Sequence, residues 1–185
     1  MIPFKYLSNM DIYEVEIQGV KVKASLIDNV AVLDAKIREL RSSLFQPKRP
    51  HVVGVDVKFH IDERTKLRDY QELLVLCGWN RCLIIQLYNF PTFPDCLHKF
   101  LADETICFVG NELYDKVIKN PKLSKCRLAE LAGEVGVNLV ATEDLKGTST
   151  TDLKAIVFTD EEIKCIIQDA NTCCDIGNKL LRMVA

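Results

Sequence analysis

Residues 52–59 read Val-Val-Gly-Val-Asp-Val-Lys-Phe, and the fold turns on how this stretch is placed. A half-exposed strand alternates apolar and polar residues, whereas this run is apolar on both faces as far as Val55. Such a run belongs in the middle of a sheet, covered from above and below. We therefore place a central strand over His51 to Lys58, interrupted by Gly54 and carrying Asp56 and Lys58 at its far end.

Upstream, Pro47-Lys48-Arg49-Pro50 closes a helix that Asp28 or Asn29 caps and that runs to about Leu44. Val30, Leu33, Ile37, Leu40 and Leu44 recur along it at helical spacing. Before it, Asp11 to Leu26 reads as a β-hairpin, with residues alternating on either side of a tight Gln18-Gly19 turn.

Downstream, Tyr70–Cys77 and Cys82–Leu87 form a second hairpin around Gly78-Trp79-Asn80. Pro94 opens a helix through Leu101, and Thr105–Val109 is another buried strand. Leu113 to Asn120 is predicted helical and Leu128 to Val135 has helical character, while Gly147-Thr148-Ser149-Thr150-Thr151 is a loop. A capping box of Thr159 and Glu162 opens the last helix. Ile163, Ile166, Ile167, Ala170, Cys174, Gly177, Leu181 and Val184 line one of its faces. Strands alternating with helices in this way indicate an α/β domain with a mixed sheet, spanning residues 1–185 as one unit.

The composition fits a packed globular domain, at 48% hydrophobic and 27% charged over 185 residues. A formal net charge of −2 argues against a strong nonspecific grip on nucleic acid, which needs clustered Lys and Arg. No secretory signal or membrane-length apolar run is visible, which predicts an intracellular protein, nuclear or cytoplasmic, with no membrane partner. The eight cysteines show no C-x-x-C spacing, and several lie in apolar runs, so buried free thiols are expected. Cys173 and Cys174 are a weak redox candidate, because one helix projects neighbouring side chains in different directions.

Three segments resemble, in order, the motifs of the Werner-type branch of the DnaQ-like (DEDD) 3′-5′ exonucleases, whose fold is RNase H-like. Val52 to Phe59 looks like that family's strand ending in an Asp-x-Glu pair, followed by a similar hairpin with Arg81-Cys82-Leu83-Ile84-Ile85-Gln86-Leu87. Phe108-Val109-Gly110 is similar to the strand end that leads into an aspartate-bearing helix. Asp169-Ala170, with Ile176-Gly177 behind it, is similar to the closing Tyr-x-x-x-Asp motif. The resemblance covers most of the chain. It implies an RNase H-like mixed β-sheet flanked by helices, preceded by an N-terminal β-hairpin and helix.

The resemblance also implies a two-metal mechanism, in which divalent ions roughly 3.5–4 Å apart generate hydroxide and steady the leaving oxygen. Magnesium prefers hard oxygen ligands, and the family supplies carboxylates, with a tyrosine to position the water. Carried over by position, Asp56 and Asp169 match the first and last carboxylates. The second falls on Lys58, the middle one on Lys116 and the tyrosine on Cys165. A one-residue slip brings Asp115 to the middle position, and Glu112 is also close. Asp56, Lys58, Lys116 and Asp169 sum to zero charge, where a two-ion site needs an excess of negative charge. A protonated lysine cannot ligate a metal.

The expectation is therefore a 3′-5′ exonuclease-like protein with impaired catalysis and no cofactor, acting in nucleic-acid binding or scaffolding. If any metal is bound, Asp56 and Asp169 hold it. Lys58 and Lys116 either neutralise the remaining acids or hold a phosphate. Together with Lys119 they are the candidate contacts to single-stranded or end-bearing nucleic acid. The stripe from Lys116 through Lys119, Lys122, Lys125 and Arg127 has acids around it and reads first as a solvated face. The rival expectation is an active exonuclease using Asp56, Asp115 or Glu112, and Asp169 with Mg or Mn. A homo-oligomer is expected from base rate alone.

Overall fold

The computed structural model describes residues 12–45, 50–61, 68–110 and 157–184. These build β1 (Ile12–Ile17), β2 (Val20–Ile27), α1 (Val30–Leu44), β3 (Val52–Ile61), β4 (Arg68–Gly78), β5 (Arg81–Gln86), α2 (Asp95–Leu101), β6 (Cys107–Gly110) and α3 (Asp160–Val184). The strands form one six-stranded mixed sheet in the order β1-β2-β5-β4-β3-β6. β2–β5 and β3–β6 are parallel, and the three remaining pairs are antiparallel.

Local chemistry accounts for the elements. Gln18 and Gly19 both take positive φ, 51° and 77°, as a primed two-residue hairpin turn requires. Asn29 caps α1, its Oδ1 accepting from the Val32 amide at 3.0 Å. The Thr159 amide donates to Glu162 Oε2 at 2.8 Å and the Glu162 amide to Thr159 Oγ1 at 3.3 Å, which is the capping box.

The sheet separates two cores. On one face, Leu33, Ile37, Leu40 and Leu44 of α1, with Leu97 and Phe100 of α2, pack on Val53, Leu74, Leu76, Leu83 and Ile85. On the other, Ile163, Ile166, Ile167 and Ala170 of α3 pack on Val15, Val22, Leu73, Val75 and Ile84. Each of the three α3 isoleucines contributes on the order of 2 kcal/mol by leaving water. Val53 belongs to the first core while Val52 meets α3, which is the two-sided burial expected of the central strand.

Two expectations change. The central strand runs three residues beyond Lys58, to Ile61, because β4 continues to pair with it. Not all the cysteines are free thiols, since Cys77 and Cys82 form a disulfide. They are direct register partners across the β4–β5 hairpin, an adjacency that the linear spacing alone does not display. Cys173 and Cys174 remain buried thiols, and burial pushes the Cys174 thiol up to about 11. That makes Cys174 an unreactive core group. The helices predicted over 113–120 and 128–135, and the 147–151 loop, lie outside the described residues.

Candidate functional site

Alternation along β3 puts Gly54, Asp56 and Lys58 on the face that meets α3. Gly54 sets how closely the helix approaches. A Cβ there would fall 1.8 Å from the Ala170 carbonyl oxygen and 2.7 Å from the Cys174 amide nitrogen. Only glycine allows this contact, because any other residue would drive the helix off the strand. Gly177, one to two turns further on, fits against Val52 and Val109 in the same way. The backbone of α3 is thus seated on β3, and Asp169, beside Ala170, comes level with Asp56 and Lys58.

The three side chains meet. Lys58 Nζ lies 2.8 Å from Asp56 Oδ2 and donates to Asp169 Oδ2 at 2.5 Å. The side chains are 28% (Lys58), 16% (Asp56) and 35% (Asp169) exposed, so water screens them only in part. The Asp56 contact is an ion pair without hydrogen-bond alignment, and its buried Oδ2 has no aligned donor. Burial by itself would lower the pKa of Lys58. Asp56 and then Asp169 outweigh that effect and hold the ammonium above the ordinary lysine range. Lys58 is therefore firmly protonated at neutral pH.

These residues do not fit a divalent metal ion. An ammonium has no lone pair to give. At 4 Å it would also repel each unit of positive charge by about 4 kcal/mol at a near-surface dielectric. The cluster carries one net negative charge, and the cation it already holds is tethered to the chain. Among the described residues, no group of three His, Cys, Asp or Glu side chains converges as a metal site.

Cys165 stands one helical turn before Asp169 on α3, half-buried. Lys116, Lys119, Asp115 and Glu112 lie outside the described residues, as does the rest of the basic stripe. The register pairs Val55 with Gly110, so the chain leaves β6 beside Asp56. Of the histidines, His51 packs against Phe45 with the rings tilted at 47° and their centroids 4.2 Å apart. After β5, Tyr88 packs against the α3-side core and Phe90 against the α1-side core, while Phe93 is exposed.

Sequence reasoning gave Gly54 no role, although a glycine inside an apolar strand signals close backbone approach. It also gave no role to Arg41 and Asp103, which form an ion pair joining α1 to the turn after α2. Thr105 donates to Asp103 Oδ1 from its hydroxyl at 2.6 Å and from its amide at 3.0 Å. Those bonds first, and Arg41 after them, hold the Asp103 carboxyl below the usual carboxylate range.

Among the described residues, no helix is long and apolar enough to cross a membrane. No protein-family model matches the chain, and no curated protein matches it either. Among solved structures it is similar to the catalytic core of RRP6 from Trypanosoma brucei, solved as the mutant C496S. The TM-score is 0.56 at 13% identity, and the match covers 87% of this chain and 47% of that one. The chain thus spans about half the length of that structure. What the two share is the fold: an RNase H-like mixed sheet flanked by helices.

Proposed function

We propose that this chain is a 3′-5′ exonuclease-like domain of the Werner type, impaired in catalysis, that serves as a nucleic-acid-binding or scaffolding module. The observation that carries this reading is the Lys58 ammonium shared by Asp56 and Asp169. In the family that the sequence resembles, the position of Lys58 holds a carboxylate, and the two aspartates hold metal. Here a tethered cation takes up both acids. The fold shared with the RRP6 catalytic core, a 3′-5′ exonuclease, supports the exonuclease-like part of the reading.

Lys116 and Lys119 are the positions we assign to weak contact with single-stranded or end-bearing nucleic acid. Lys58 contributes less, because two acids already share its charge. Self-association belongs to the same reading, and light scattering on the purified protein tests it.

The deciding experiment is calorimetric titration of magnesium and manganese into the wild type and into Lys58→Glu/Lys116→Asp, beside a nuclease assay on single-stranded and recessed-end DNA. The wild type is expected to give no binding heat and no degradation, with binding regained in the double variant. Magnesium-dependent degradation that Asp56→Ala abolishes would overturn the reading and restore an active exonuclease.

A further inference from the structure

The turn between β4 and β5 does not follow the rule that its counterpart obeys. Trp79 takes φ +56°, while the next residue, Asn80, does not take positive φ. A two-residue hairpin turn with positive φ at its first position alone calls for glycine there. A bulky side chain in that conformation costs on the order of 1–2 kcal/mol. The surroundings hold the turn in place. The Lys23 amide of β2 donates to the Asn80 carbonyl at 2.9 Å, and Gly78 packs so tightly on α1 that a Cβ would lie 2.8 Å from Leu44 Cδ2. Trp79 nevertheless keeps 47% of its surface exposed, so burial does not explain its presence.

A groove opens between this turn and the C-terminal half of α1, lined by Arg38, Glu39, Ser42, Trp79, Asn80 and Arg81 among others. Both guanidinium groups in its lining are held in exposed surface ion pairs, Arg38 with Asp34 and Arg81 with Glu39 at 3.4 Å, and pairs this exposed contribute at most about 1 kcal/mol, so phosphate can displace the carboxylates. An exposed indole on a held turn, beside arginines, offers a stacking surface for a planar base and donors for the adjoining phosphates. Lys58 pairs with Leu73, six residues before Trp79, and the groove opens beside α1 while the Lys58 cluster faces α3, so the two sites are separate.

We infer that the groove at Trp79 binds single-stranded nucleic acid, stacking one base on the indole while Arg38 and Arg81 contact phosphate. This rests on the nucleic-acid-binding reading above and locates a contact at the end of the β4–β5 hairpin.

Trp79 is the sole tryptophan, so its emission reports on this groove alone. The experiment titrates a fluorescein-labelled oligothymidylate into the full chain, following label anisotropy and tryptophan emission together. Quenching that tracks the anisotropy is expected. Trp79→Asn, whose new side chain tolerates positive φ, should fold by circular dichroism and lose on the order of tenfold or more in affinity. Arg38→Gln and Arg81→Gln should each lower the salt slope by about one. Anisotropy that rises without quenching, and that Lys116→Glu/Lys119→Glu abolishes, would overturn this inference and leave the proposed function standing. No anisotropy change at all would sink this inference and the nucleic-acid-binding half of the proposed function, leaving the scaffolding half. An emission shift on concentrating the protein alone, with oligothymidylate inert at the indole, would assign the groove to a second copy of the chain and overturn the inference.

Discussion

Two of the cation–carboxylate clusters in this fold, one on each face of the sheet, are built differently. On the α3 face, one ammonium is divided between Asp56 and Asp169. On the α1 face, Arg41 meets the single carboxylate of Asp103, whose other oxygen accepts two bonds from Thr105. The second cluster has equal charges and serves to tie a turn. The first has one acid too many for the cation it holds. An excess of acid around a partly buried point is costly to maintain.

The largest expected effect separates the clusters outright. Gly54→Ala would push α3 from β3, because the added Cβ meets backbone rather than a movable side chain. A loss of about 3 kcal/mol or more in urea denaturation is expected, with Arg41–Asp103 unaffected. Stability near that of the wild type would mean that α3 is not seated on β3 as described.

Lys58→Met comes next. It keeps the aliphatic stem and leaves two acids facing each other without a cation. Breaking a buried pair costs about 3–5 kcal/mol, and the partial exposure here reduces that to about 2 kcal/mol at neutral pH. Adding Asp56→Asn and Asp169→Asn should recover most of the loss. If the triple variant is as unstable as the single one, packing rather than charge explains the site.

The pH dependence distinguishes the two clusters by sign. The folded pKa of Lys58 is raised, so its contribution is complete below the unfolded lysine value, about 10.4, and is lost as pH rises through the folded value. The stability gap between wild type and Lys58→Met should therefore narrow on the alkaline side. The folded pKa of Asp103 is lowered. Its contribution is complete above the unfolded aspartate value, about 3.9, and is lost as pH falls through the folded value. Denaturation midpoints followed across both ranges check the two signs, and a gap that widens in alkali would contradict the Lys58 assignment.

The smallest effect belongs to Arg41→Ala. Asp103 keeps both bonds from Thr105, and Arg41 is about half exposed. The destabilisation should be several-fold less than that of Lys58→Met. An equal loss would erase the distinction between the clusters.

Much of the fold was legible before any coordinates, because short-range rules govern it. The Gln18-Gly19 turn, the helix ending at Leu44 and the Thr159–Glu162 box each depend on residues within a few positions of one another. The doubly buried run at Val52–Val55 placed β3 inside the sheet because two-sided burial leaves a mark on composition. The pairing of Asp56 and Asp169 was suggested by resemblance to a family rather than by periodicity. The Cys77–Cys82 bond was missed because facing across a hairpin depends on strand register, which the spacing of cysteines does not encode.

By itself, the sequence determined the order and type of most described elements and the presence of a lysine two residues after Asp56, since these follow from local spacing and residue chemistry. The tertiary structure decided that Lys58 is shared by two acids and that Gly54 lets α3 settle onto β3. It also decided that Trp79 sits exposed in a strained turn beside two arginines. Lys58 and Asp169 are 111 residues apart in the chain. A contact over such a separation exists only once the sheet and helix have packed, so no local pattern records it.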